Sequence, residues 1–292
     1  MTRPCATPTP ASRAVALAAG LAALLLFGCA QAPRVAAGTP EQQLGAALRA
    51  RPVVLLGEVH DNAAQHALRA AALRSLLESG ARPALLMEQF DRERQADLDR
   101  ALSRPGVTAD EVINAATPAD PAMQGWAWPF YRPYVALALE YRLPLIAANV
   151  SRADSRRVLQ DGLAAMGFDA AVPVDIETAQ ARAIVEGHCG MLDAAQAGRM
   201  VGAQVARDQF MARAIEAHAM RGAVLIAGNG HVRSDVGVPR WLSPATRARS
   251  VSIGLLEAGD EANATAYDKA LQTDRQPRPE PCEAMRAPPR VR

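Results

Sequence analysis

Short runs of continuous apolar residues recur along this chain, each bounded by turn-forming positions: PVVLLGE from Pro52, PALLMEQF from Pro83, LPLIAANV from Leu143, AVLIAGNGH from Ala223 and SVSIGLLE from Ser250. Continuous rather than alternating hydrophobicity is the pattern of strands covered on both faces, and the intervening segments are long enough for crossover helices. The pattern therefore predicts an α/β fold, a three-layer α/β/α arrangement around a mostly parallel sheet. Helix signals agree with it. Glu41 to Arg51 reads as a helix, Asp61 or Asn62 can cap a second that runs through Ser79 and ends at Gly80, and Phe130 to Tyr141 reads as a third. Between residues 151 and 220 the only strand-like stretch is AAVPVDI, and a long amphipathic helix follows from Ala194 to a stop at Gly222, which predicts a small helical subdomain inserted before the fourth strand.

The amino terminus has a different pattern. MTRPCATPTPASR carries Arg3 and Arg13 and no acid, and Ala14 to Phe27 is an uninterrupted small-apolar run, too short to span a bilayer comfortably and laid out as a secretory signal. It ends in Leu26, Phe27, Gly28 and Cys29, which resembles a bacterial lipobox. The expected organisation is a signal peptide over 1–28, acylation at Cys29 with fatty acids such as palmitate, a tether over 29–40, one α/β domain over 41–272 and an irregular tail over 273–292. Several acyl chains on one residue hold a protein at a membrane where a single chain binds only marginally. The address that follows is the bacterial envelope, most simply the outer membrane facing the periplasm. In that oxidising compartment the remaining pair, Cys189 and Cys282, is expected to form a disulfide, worth about 4–5 kcal/mol for a loop of that length in the chain-entropy model.

Composition changes this picture only by exclusion. Of 292 residues half are apolar, and 32 basic residues face 30 acidic ones without a long single-sign block. A nucleic-acid partner would require a basic footprint that is absent here.

Chemistry gathers where the apolar runs stop. If the strands are parallel, Gly57, Glu58, His60, Glu88, Asn149, Gly228, Asn229, Gly230 and His231 all fall at carboxyl ends, the edge at which open α/β sheets build ligand sites. Two of the runs close in Gly-x-x-His turns, GEVH and GNGH, whose glycines permit positive φ and close backbone approach to a ligand. Arg207 and Asp208, on the long helix, are placed to reach toward the same cluster. His66 and His218 read as solvated helix positions, and His188 as part of a disulfide-tied loop.

These motifs, with LLGEVHDNAAQH, LLMEQFDR, WPFYRPYVALALEYRLPLIAANVSR, GHCGML, QVARDQFMA and LIAGNGHVRSDVGVPRWL in order from about Leu44 to Trp241, resemble the ChaN-like haem-binding lipoproteins. That family lies within a wider group that includes Tiki and TraB proteins and erythromycin esterases. The resemblance implies two alternatives: haem binding in iron acquisition, or hydrolysis by a His/Glu cluster. Haem requires an axial ligand, an apolar slot and cations for its propionates. Trp126, Trp128, Phe130, Tyr131, Tyr134 and Tyr141 make up half of the twelve aromatic residues and lie within one short segment. Tyr131 and Tyr134 are candidate iron ligands on one helix face, with His60 and His231 as alternatives. Arg132, Arg207 and Arg233 are candidate propionate partners, and Met191, Met200, Met211 and Met220 can line a haem face. In the hydrolytic alternative His60, His231, Glu58 and Glu88 hold a divalent transition metal, or His60 acts as a general base, with Gly228, Asn229 and Gly230 as oxyanion donors. The expectation favoured is haem binding without catalysis, with a second copy of the chain as a candidate partner.

Overall fold

The computed structural model describes residues 38–118, 125–279 and 282–283. The signal peptide, Cys29 and most of the tether expected from the sequence lie outside them, as does the tail from 284. The strands are β1 (Val53–Leu56), β2 (Ala84–Asp91), β3 (Leu145–Asn149), β4 (Ala223–Ile226), β5 (Ser250–Glu257) and β6 (Lys269–Thr273). They form one sheet in the order β3-β2-β4-β1-β5-β6, every neighbouring pair parallel.

Alternate residues of the central strands serve two different cores, which is why their sequences read as unbroken apolar runs. Val54, Leu56, Leu85, Met87, Val224 and Ile226 pack on one face beneath α1 (Pro40–Ala50), α2 (Ala63–Glu78), α3 (Gln95–Leu102), α4 (Ala109–Ala116) and α5 (Trp128–Glu140). Val53, Leu55, Ala84, Leu86, Ala223 and Leu225 pack on the other, against Met211, Ala212 and Ile215 of a long helix, Ala194–His218. Between β3 and that helix come α6 (Arg152–Asp161) and α7 (Val174–Gly187), so the long helix is α8. Its first half carries a separate core with α7 through Ile176, Ile184, Ala197, Val201 and Val205. This is the helical insertion predicted between β3 and β4. After β4 come α9 (Asn229–Val232) and α10 (Pro244–Ala248).

Two elements differ from the sequence reading. AAVPVDI is not a strand: Pro173 caps α7, and Ile176 is buried against α8 because the segment continues at helical spacing into Gln180 and Ile184. KALQT, which the sequence reading does not single out as a strand, forms β6 at the sheet edge; exposed Lys269 and Gln272 hide the apolar pattern there. The tail beyond β6 lacks regular structure over 274–279, but Arg278 pairs with Asp61 and Glu257, and Cys282 is bonded to Cys189.

Helix α2, which follows β1, covers one face of the sheet, whereas the segment after β4 turns to the other, burying Val232 and Val238 there. Adjacent strands whose connections leave in opposite directions open a crevice at their carboxyl ends.

Candidate functional site

The crevice is a cleft of about 500 Å³ lined by residues that include His60, Glu88, Trp126, Asn149, Arg207 and His231. That size lies within the usual range for small-molecule sites. Its floor depends on close backbone approach. A Cβ at Gly57 would collide with Asn229 and Val232, and one at Gly228 would sit 2.7 Å from Cε1 of His60. None of Gly57, Gly228 or Gly230 adopts a positive φ, so contact rather than backbone handedness accounts for the first two.

Each histidine of the paired turns is held by a carboxylate. His60 Nδ1 lies 2.7 Å from Oε1 of Glu58, and the imidazole is about half exposed while Glu58 is buried. With Nδ1–H donating to Glu58, Nε2 keeps its lone pair, the arrangement that orients metal-ligating histidines. Burial disfavours the His60 cation, but the hydrogen bond and charge of Glu58, with Glu88 beyond it, raise its pKa. His231 is more enclosed: Nδ1 lies 2.6 Å from Oδ1 of Asp208 and Nε2 lies 3.4 Å from Oε1 of Glu88. Burial opposes its charge, yet Glu88 and Asp208 together raise its pKa to about 10. Glu88, for which burial alone would raise the pKa, is held at about 2 by His231 and by the Gly228 N–H, 2.8 Å from Oε2. The two carboxylates therefore favour the cationic form of His231.

Behind His60 sits a buried layer from α2 and α5. Tyr131 donates to Oε1 of Glu58 at 3.1 Å, and Tyr134 donates to the His66 carbonyl at 3.1 Å. Both tyrosines are fully buried, and burial first, then the Glu58 charge among other groups, raises their pKa values. Both hydroxyls are engaged in this buried layer and the face they share packs in the core, unlike the exposed placement that the iron-ligand expectation requires. His66 also departs from expectation. It is buried, stacks on Phe130 at 4.6 Å, donates from Nε2 to the His60 carbonyl at 3.0 Å and accepts from Arg69 at 3.3 Å. The signal was its place in the buried stripe His66, Arg69, Leu73, Leu76 and Leu77 of α2.

Other expected partners are committed elsewhere. Arg132 is paired with Asp110, and Arg233 with Asp235. Met211 lies in the sheet core, Met200 packs on the insertion core, and Met191 and Met220 are exposed away from the cleft. Asn229 fastens β4 to β5 by accepting from the Leu255 N–H at 3.2 Å and donating to its carbonyl at 2.6 Å. Two of the three oxyanion donors expected of the GNGH turn are occupied: Gly228 N–H bonds Glu88, and Asn229 N–H bonds the Glu58 carbonyl at 2.9 Å. Among the described residues no three His, Cys, Asp or Glu side chains converge as a metal site. Arg207 does line the cleft, as expected, and is joined by Arg152 and Arg156.

The fold resembles that of ChaN of Campylobacter jejuni, solved with cofacially bound haem, at 20% identity and a TM-score of 0.60 over 74% of this chain and 85% of that one. The type III effector HopBA1 shares the fold at 15% identity and a TM-score of 0.51, over 82% and 95% of the two chains. No curated protein sequence matches the chain. The sequence profile described as haem-binding uptake, Tiki superfamily, ChaN matches residues 44–242. That span contains both Gly-x-x-His turns, their carboxylate partners and the arginines of the cleft, and it covers well over half of the sequence: this chain belongs to the ChaN family of haem-binding uptake proteins.

Proposed function

We propose that this protein is an envelope-anchored lipoprotein that binds haem in the cleft at the carboxyl edge of its sheet and serves haem iron acquisition without catalysis. The observation that carries the reading is the Glu58–His60 pair, which leaves Nε2 of an exposed imidazole free at the mouth of the cleft. Haem would supply a flat, iron-bearing ligand with two carboxylates. His60 is the residue to hold its iron, Glu58 fixes the imidazole orientation, and Trp126, edge-on to His60 at 5.0 Å, is the residue to flank the macrocycle. Hydrolysis is disfavoured because two of the three backbone donors expected of the GNGH turn are already taken. Cofacial binding of the kind described for the Campylobacter protein would bring a second copy of this chain over the open side of the cleft.

Titration of the purified protein with hemin is expected to give a saturable change in the Soret band, with the oligomeric mass read at saturation. A featureless titration overturns the haem reading. Replacing Cys29 with serine is expected to shift the protein from the membrane fraction to soluble periplasmic material, and retention in the membrane overturns the anchoring.

A further inference from the structure

The geometry points to a built clamp for two carboxylates: Arg152, Arg156 and Arg207 together hold the propionates of the bound porphyrin. This inference rests on the haem reading and adds to it the residues that select the acid side chains of the ligand.

Most arginines near the cleft have anionic partners. Arg92 bonds Asp154 from Nε at 3.0 Å, and Arg157 lies 3.8 Å from the same carboxyl group. Arg152, Arg156 and Arg207 line the cleft, yet among the described residues none of them has a carboxylate within ion-pair distance or a hydrogen-bond partner. Arg152 and Arg156 are one turn apart on α6, so they share a face, and Arg207 comes from α8, against which α6 packs. Their positions place three guanidinium groups around one wall, while His60 stands on the wall formed by β1 and β4.

Charge in the cleft agrees with an anionic ligand. Arg152, Arg156, Arg207 and the His231 imidazolium face the carboxylates of Glu88 and Asp91. His231 sits between Glu88 and Asp208, so with His60 uncharged the three arginines and the imidazolium meet three anions, Glu88, Asp91 and Asp208, leaving one positive charge in excess. Burial of Arg207 lowers its pKa, a cost that a bound carboxylate would offset. Guanidinium forks match carboxylates through paired N–H donors, which a lysine or a lone backbone amide would not reproduce. The porphyrin would then lie with its iron toward His60 and its acid edge toward α6.

The test compares hemin, hemin dimethyl ester and iron-free protoporphyrin on the full-length mature protein and on an Arg152→Ala/Arg156→Ala variant. Both positions are exposed on α6, so the variant is expected to fold, as circular dichroism would verify. The double variant is expected to bind hemin and protoporphyrin roughly ten- to a hundred-fold more weakly. The dimethyl ester should bind the unmodified protein with a similar deficit and lose nothing further in the variant. Equal hemin affinity in both proteins, or ester binding as tight as free hemin, overturns the clamp while leaving the haem reading intact. Protoporphyrin binding that depends on the arginines, without a Soret response to hemin, supports the clamp and overturns His60 ligation. Failure of the unmodified protein to bind any of the three overturns both.

Discussion

Replacing His231 with alanine is expected to destabilise the protein by about 3–5 kcal/mol, because the substitution leaves buried Asp208 and Glu88 facing each other without a cation. In a domain of this size that corresponds to a fall in Tm of roughly 6–20 °C. The same group sets an alkaline limit. Its pKa is raised from an ordinary 6.5 to about 10, so its contribution is fully present below pH 6.5 and is lost as pH rises toward 10. Glu88, lowered from 4.5 to about 2, works in the opposite sense: it contributes above pH 4.5, and that contribution is lost as pH falls toward 2. Thermal melts across this range should show both limbs in the unmodified protein and a flattened alkaline limb in the variant. An unchanged Tm at neutral pH would mean that the two carboxylates are neutral or hydrated, and would remove the imidazolium from the account of the site.

The second large effect concerns ligand rather than fold. His60→Ala is expected to lower hemin affinity by more than about a hundred-fold and change the Soret spectrum, since it removes the imidazole proposed to hold the iron. Glu58→Gln, which keeps the shape but weakens the orienting hydrogen bond, should cost roughly ten- to a hundred-fold. Stability should respond little to loss of His60, because Glu58 retains the Tyr131 hydroxyl at 3.1 Å and Arg69 at 3.9 Å. Affinity should also decline on acidification: the pKa of His60 is raised, and below it Nε2 carries a proton and cannot ligate. A His60→Ala protein with an unaltered hemin spectrum and affinity would transfer ligation to another residue.

The parallel sheet and its polar carboxyl edge were readable because strands buried on both faces leave unbroken apolar runs, and every such run but the last stops at a residue that the fold brings to the rim. What the sequence does not reveal is which side of a helix faces inward. Tyr131 and Tyr134 share a face on spacing alone, but only the docking of α5 on the sheet turns that face into the core. The inward orientation of His66 is hidden for the same reason, although its stripe with Arg69 and Leu73 carries the information. Arg152 and Arg156 were overlooked despite following β3 directly. The carboxyl-edge rule that located His60 and His231 applies equally to the first turn of α6. Asp208 was suspected from its neighbour Arg207, and the structure gives the two residues different tasks, one beneath His231 and one at the cleft wall.

The central strand is made early and must wait for its neighbours. Val53 pairs with Ala223 on one side and Ser250 on the other, so β1 has no partner until most of the polypeptide has been synthesised. Pairings this distant form slowly. Such a molecule completes the floor of its cleft only when the last third of the chain is in place.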